Sequence, residues 1–146
     1  AVGSGIAPTR AAGGVRRAPT DARLMARILL VEDDPTVRLS VSAVLGRAGH
    51  EVVECIDGSR AIAALEAESF DLVITDIIMP DVEGLEVIRA VRTRHPECPI
   101  IAMSGGGNID KAEILTWAEK LGARAILAKP FTGDMLRRTV EDCLRR

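Results

Sequence analysis

Leu72-Val73-Ile74-Thr75-Asp76-Ile77-Ile78-Met79-Pro80 carries the strongest structural signal in the sequence. An apolar run long enough for a buried strand stops on a carboxylate, and burying a charge needs a compensating reason. Two further apolar runs also end on ionisable groups. Ile28-Leu29-Leu30-Val31 runs into Glu32-Asp33-Asp34, and Ala125-Ile126-Leu127-Ala128 into Lys129-Pro130. In an open parallel sheet the carboxyl ends of the strands share one edge, where ligands bind, so these ionisable groups can converge on a single site.

From Ile28 onward the chain alternates short aliphatic runs with amphipathic stretches, the pattern of repeated strand-helix units. Pro35 suits the first position of a helix and Asp34 the cap before it. Val37, Val41, Val44, Leu45 and Ala48 give that helix an apolar stripe, which Gly49 ends. A strand over Val52 to Cys55 follows, then a turn at Asp57-Gly58 and a helix through Ala61, Ile62 and Leu65. After the Leu72 to Thr75 strand, Leu85, Val87, Ile88 and Val91 mark a third helix that stops near His95-Pro96. The fourth strand, Ile100 to Met103, opens into Ser104-Gly105-Gly106-Gly107. A fourth helix through Ile114, Ala118 and Leu121 ends at Gly122. Thr132 can cap the fifth, with Met135, Leu136, Thr139, Val140 and Cys143 on its buried side. The reading gives five strands and five helices, with residues 1–25 a flexible leader and residues 26–146 one folded unit.

Composition narrows the function. Of 146 residues only Phe70, Trp117 and Phe131 are aromatic, so the core is aliphatic and no stacking platform for single-stranded nucleic acid is available. A net charge of -2 argues against a general phosphate-backbone binder, and hence against direct DNA binding. Cys55, Cys98 and Cys143 form no paired motif and read as buried small hydrophobes in a reducing cytosol. No apolar run approaches the roughly 20 residues needed for membrane insertion, and the first residues lack a signal peptide's apolar block. The expected location is cytoplasmic.

If the strand ends converge, Glu32, Asp33 and Asp76 face one another, and clustered carboxylates must be protonated or neutralised. A divalent cation removes the conflict. The candidate ligands are all oxygens, which favours Mg²⁺ over zinc. Lys129 adds a mobile positive charge and Ser104 a hydroxyl donor. Asp34 is read as structural, a cap rather than a ligand. Trp117 is read as packing, and His50 and His95 as exposed turn residues outside any catalytic arrangement.

Four clusters in register carry a resemblance: Leu30-Val31-Glu32-Asp33-Asp34; Asp71 to Asp76 with Met79-Pro80 and Gly84 behind it; Ile101-Ala102-Met103-Ser104; and Lys129-Pro130-Phe131. With 43 positions from Asp33 to Asp76 and 53 more to Lys129, residues 28–145 resemble the receiver domain of two-component response regulators, including the single-domain chemotaxis type. The resemblance implies an α/β, flavodoxin-like, doubly wound five-stranded parallel sheet of order 2-1-3-4-5. It implies that Asp76 accepts a phosphoryl group from a sensor histidine kinase or a histidine phosphotransfer protein. Asp33 and Asp76 would ligate Mg²⁺ with the Ile78 main-chain carbonyl, Glu32 acting mostly through water. Lys129 would neutralise phosphoryl charge, and Ser104 would hydrogen-bond the attached group. Output would pass to a downstream protein through the fourth helix, fifth strand and fifth helix. Such a protein is not an enzyme beyond catalysing its own phosphorylation and dephosphorylation.

Departures from the family pattern are also legible. Ile126 stands where many receivers carry an aromatic switch residue. The stretch from Ser104 to Lys129 is about three residues longer than usual, with Gly105 to Asn108 the insertion point, and glycines lose more backbone entropy on ordering. Neither Ile78 nor Gly106 offers a polar side chain to orient water, so slow self-dephosphorylation is expected. A phosphorylation-independent interaction module is the alternative. A phosphate-ester hydrolase would want a second acid two residues past Asp76, where Ile78 stands.

Overall fold

The computed structural model describes residues 25–77, 83–105 and 120–145, together with residues 113 and 116. The elements follow in the order β1 (Arg27–Val31), α1 (Pro35–Arg47), β2 (Glu51–Cys55), α2 (Gly58–Ala67), β3 (Leu72–Asp76), α3 (Glu83–Arg94), β4 (Ile100–Ser104), β5 (Ala125–Ala128) and α4 (Gly133–Arg145). The strands form one parallel sheet in the order β2-β1-β3-β4-β5, the expected 2-1-3-4-5 arrangement. Four helices stand among the described residues against the five expected. The missing one, through Ile114, Ala118 and Leu121, falls on a stretch of which residues 113, 116, 120 and 121 alone are described. Most of the leader, all but Gly105 of the expected insertion, and Trp117 also lie outside the described residues.

Strand side chains alternate between two apolar layers, as the two-residue period of a strand requires. Ile28, Leu30, Leu72, Ile74, Ile101 and Met103 face α1 and α4, where Val41, Leu45, Leu136, Val140 and Cys143 complete one core. Leu29, Val31, Val73 and Ile100 face α2 and α3, where Ala61, Leu65, Val87, Ile88 and Val91 complete the other. With both faces covered, β3 and β4 are buried at every position, which is why their sequences read as continuous rather than alternating apolar runs.

Local chemistry sets the boundaries. The Asp34 carboxylate accepts from the Thr36 N–H at 2.9 Å and Pro35 opens α1, so the capping reading of Asp34 holds. Asp57 caps α2 through the Arg60 N–H at 2.8 Å; Gly58 is therefore the first residue of that helix rather than the end of a separate turn. Thr132 Oγ1 accepts from the Met135 N–H at 3.0 Å. Gly49, with φ of +95°, takes a left-handed conformation that lets the chain leave α1 for β2.

Two side-chain readings need correction. His50 is buried, not exposed, because its Nδ1 accepts the Ala26 N–H at 3.1 Å, a main-chain donor with no strand partner there. His95 is half-buried, its Nε2 lying 3.2 Å from the Leu65 carbonyl. Met135, expected on the buried side of the last helix, is 45% exposed. The buried stripe runs through Leu136, Val140 and Cys143, and Met135 precedes it by about 100° of helical rotation. All three cysteines are buried, as expected, and none is in a disulfide.

Candidate functional site

Sheet register brings the charged groups to one edge. Val31 pairs with Thr75, Asp76 with Met103, and Ser104 with Ala128. Glu32, Asp76, Ser104 and Lys129 therefore occupy neighbouring strand ends. The Lys129 N–H donates to the Ser104 carbonyl at 2.8 Å, extending the ladder past β5, and the Lys129–Pro130 bond is cis.

Lys129 Nζ lies 2.8 Å from Glu32 Oε1 and 2.8 Å from Asp76 Oδ2. Glu32 is fully buried and Asp76 nearly so. One oxygen from each of Glu32, Asp33 and Asp76 lies within 4.8 Å of the others. Burial pushes the Glu32 carboxyl above its ordinary range; the Lys129 hydrogen bond and the Asp34 N–H pull it back only in part, and the Asp76 charge adds to the rise. For Lys129 burial acts to lower the pKa, but hydrogen bonds to Asp76 and Glu32 prevail and hold the ammonium above its usual value. The two directions are compatible. Lys129 answers to two carboxylates and keeps some solvent, whereas Glu32 has lost its hydration entirely.

Three carboxylates around one ammonium leave an excess of two negative charges. The donor set is all oxygen and matches a hard divalent cation such as Mg²⁺ in both charge and ligand type. Glu32, Asp33 and Asp76 are the residues that could hold it. The Ile78 carbonyl, the fourth expected ligand, lies outside the described residues. Ser104 Oγ is buried and has no hydrogen-bond partner among the described residues. A buried hydroxyl left unmatched is costly, and at the rim of this cluster it is available to an incoming acceptor. Ile126, at the expected switch position, is half-buried in β5.

One contributor was not anticipated. Arg38, in the first turn of α1, sends Nη1 to the Glu32 carbonyl at 2.9 Å and to the Asp33 carbonyl at 3.4 Å. Its sequence signal is an arginine one turn into a helix that begins after the acidic run Glu32-Asp33-Asp34, where the chain leaves the sheet.

Comparison with known proteins agrees with this geometry. The family model of the response regulator receiver domain matches residues 28–141. The response regulator protein FleR of Pseudomonas aeruginosa is 38% identical over 113 residues, which are 77% of this chain and 23% of FleR. The chain thus spans about a quarter of FleR, and it spans 38% of the transcriptional activator protein PfeR of the same organism. Protein PilH, also from Pseudomonas aeruginosa, is 32% identical over 120 residues, covering 82% of this chain and 98% of PilH. Among solved structures, the chemotaxis response regulator CheY4 of Vibrio cholerae aligns with a TM-score of 0.73 at 33% identity, over 82% of this chain and 99% of that one. With the strand order, the acidic cluster and the bridging lysine already in place, the match over most of the chain assigns it: this chain belongs to the response regulator receiver domain family.

Proposed function

We propose that this chain is the phosphoacceptor receiver of a two-component system, a switch set by a phosphoryl group on Asp76. The observation that carries the reading is the Lys129 ammonium held at 2.8 Å from both Glu32 and Asp76. The bridge places one mobile positive charge beside the two carboxylates, where the oxygens of an attached phosphoryl group would need a countercharge. The phosphoryl donor would be a histidine kinase or a histidine phosphotransfer protein. An ionised oxygen of Asp76 attacks the phosphorus of the donor phosphohistidine, the phosphorus–nitrogen bond breaks, and the imidazole leaves with the bonding pair and takes up a proton. The product is an acyl phosphate on Asp76.

In-line phosphoryl transfer is catalysed mainly by positioning and by neutralising charge on the peripheral oxygens. Bound Mg²⁺ would supply the larger part of that neutralisation. Asp33 and Asp76 would hold it with the Ile78 carbonyl, and Glu32 would act through water. Lys129 would shift its contact from Asp76 toward a phosphoryl oxygen, and Ser104 Oγ would donate to another. Breaking the Lys129–Asp76 contact and satisfying Ser104 are the differential interactions by which phosphorylation biases one conformation over another.

The output would be a protein partner, through the surface of β5, α4 and the segment before β5. The chain is not an enzyme in the sense of turning over a separate substrate. A cytoplasmic location is the natural one, since three cysteines outside any disulfide suit a reducing compartment; no helix among the described residues is long and apolar enough to cross a membrane. The test is Asp76→Asn. Incubation with a small phosphodonor and Mg²⁺, read by intact mass, should label the unchanged protein and leave the variant unlabelled. Equal labelling of the variant overturns the assignment. Failure to label either protein favours a phosphorylation-independent interaction module.

A further inference from the structure

We infer that Arg38 is a positioning residue for the acidic cluster, setting how Asp33 and Glu32 are presented to a divalent cation. The inference rests on the metal-site reading above and concerns a residue that touches neither the cation nor the phosphoryl group.

Glu32 is anchored at each of its polar groups. Its N–H donates to the Cys55 carbonyl at 3.0 Å. Its carboxylate takes Lys129 on one oxygen and the Asp34 N–H, at 3.1 Å, on the other. Its carbonyl accepts Arg38 Nη1 at 2.9 Å. Because Glu32 is wholly buried, that carbonyl would otherwise be an unsatisfied acceptor, which is costly. Asp33 is exposed, and its place in the cluster depends on its backbone. The Arg38 contact to the Asp33 carbonyl fixes the peptide on its C-terminal side, and Asp34 continues into the α1 cap.

Arg38 is itself aimed. Its Nε lies 3.4 Å from Glu54 Oε1 on the edge strand β2, and Ser42 Oγ donates to Glu54 Oε2 at 2.7 Å. The Arg38 side chain is only 16% exposed, so it is a held fork rather than a wandering surface cation. A guanidinium can place separate nitrogens on the carbonyl pair and on Glu54 at once; an ammonium has a single nitrogen to offer. Ser42, Glu54, Arg38 and the carbonyls of Glu32 and Asp33 thus form a chain from the outside of α1 to the site.

Residues behind metal ligands typically contribute 10–100-fold to affinity, and the lower end suits a contact made through backbone. Charge alone predicts the opposite sign, since removing a cation near the cluster should tighten Mg²⁺ binding. This opposition makes the test sharp. Mg²⁺ is titrated calorimetrically into the unchanged protein, R38M and R38K, with folding checked by circular dichroism in EDTA. R38M should bind roughly tenfold more weakly, and R38K should fall between, keeping the charge while losing the simultaneous hold on Glu54. Should R38M fail to fold, a several-fold loss in R38K still supports the inference. Binding by R38K, and by R38M where it folds, within twofold of the unchanged protein or tighter, overturns it. If the unchanged protein binds no Mg²⁺, the metal-site reading falls and this inference with it. Normal binding by the unchanged protein and both variants refutes the inference alone.

Discussion

Replacing Asp33 by Asn should make the metal-free protein more stable while impairing the site. One oxygen of Asp33 lies within 4.8 Å of one from Glu32 and one from Asp76. At that separation a like-charge pair repels by about 0.9 kcal/mol at the dielectric of water and about 3.5 kcal/mol at an effective value near 20. Asp33 is exposed, so solvent screening puts its repulsion near the lower figure. Part of it is offset by the Lys129 ammonium. Summed over Glu32 and Asp76 and less the Lys129 offset, the net relief on neutralising Asp33 is about 1 kcal/mol, a rise of about 3–5 °C in the unfolding midpoint for a domain of this size. Asn is close in shape and leaves the backbone contacts of Asp33 in place. Thermal and urea unfolding in EDTA should show the gain, and high salt should diminish it. In saturating Mg²⁺ the order should reverse, because the unchanged protein is stabilised by mass action and the variant has lost a ligand. Asp33→Asn being equal or less stable in EDTA, or keeping its advantage in Mg²⁺, would rule out charge repulsion as the dominant effect.

Two further outcomes are expected. The Cys98 thiol is pushed up to about 11 from an ordinary 9.0, first by burial and then by Asp71, against the weaker pull of Arg92 and Arg124. The unfolded chain therefore loses this proton near pH 9 and the folded chain near pH 11, so the contribution is complete below pH 9 and is lost as pH rises to 11. The stability difference between the unchanged protein and Cys98→Ala should shrink by roughly 3 kcal/mol across that window; parallel curves would count against it. For the acyl phosphate, neither Ile78 nor Gly106 supplies a polar side chain to orient water. Once phosphodonor is removed, the label should persist for many minutes in Mg²⁺ buffer, and decay within seconds would contradict the slow-hydrolysis proposal.

The site was legible because its chemistry stands at strand ends. Carboxylates and a lysine that interrupt aliphatic runs are visible in the sequence, and a parallel sheet gathers such ends to one edge whatever the helices do. The caps were legible for a related reason: Asp34-Pro35 and Thr132 act on backbone within three residues of themselves. What escaped reading depends on distant partners. His50 looked like a turn residue because its acceptor role is set by Ala26, 24 positions earlier. Arg38 drew no reading from the sequence because Glu54, its anchor, reaches it only once β2 lies beside β1. Met135 was misplaced by one position around α4, since an apolar stripe read from spacing alone has an uncertain centre until the sheet beneath it is known.

The separation of rim and layers has a consequence for how such a chain can change. α1 packs on α4 on one side of the sheet and α2 on α3 on the other, while the charged cluster stands at the strand ends above both. Sites that are well apart and share no partner contribute to stability nearly independently, which describes the outward helical faces better than the layers, since Glu32 is bonded to Cys55 of one layer and Asp76 pairs with Met103 of the other. Inheritance can then treat those faces and the charged edge as separate ledgers. The outward helical faces can drift toward a new partner without rearranging the charged strand edge. Arg38 is the place where that independence stops, for it ties the reacting edge to Glu54 and Ser42 on the outside of the fold.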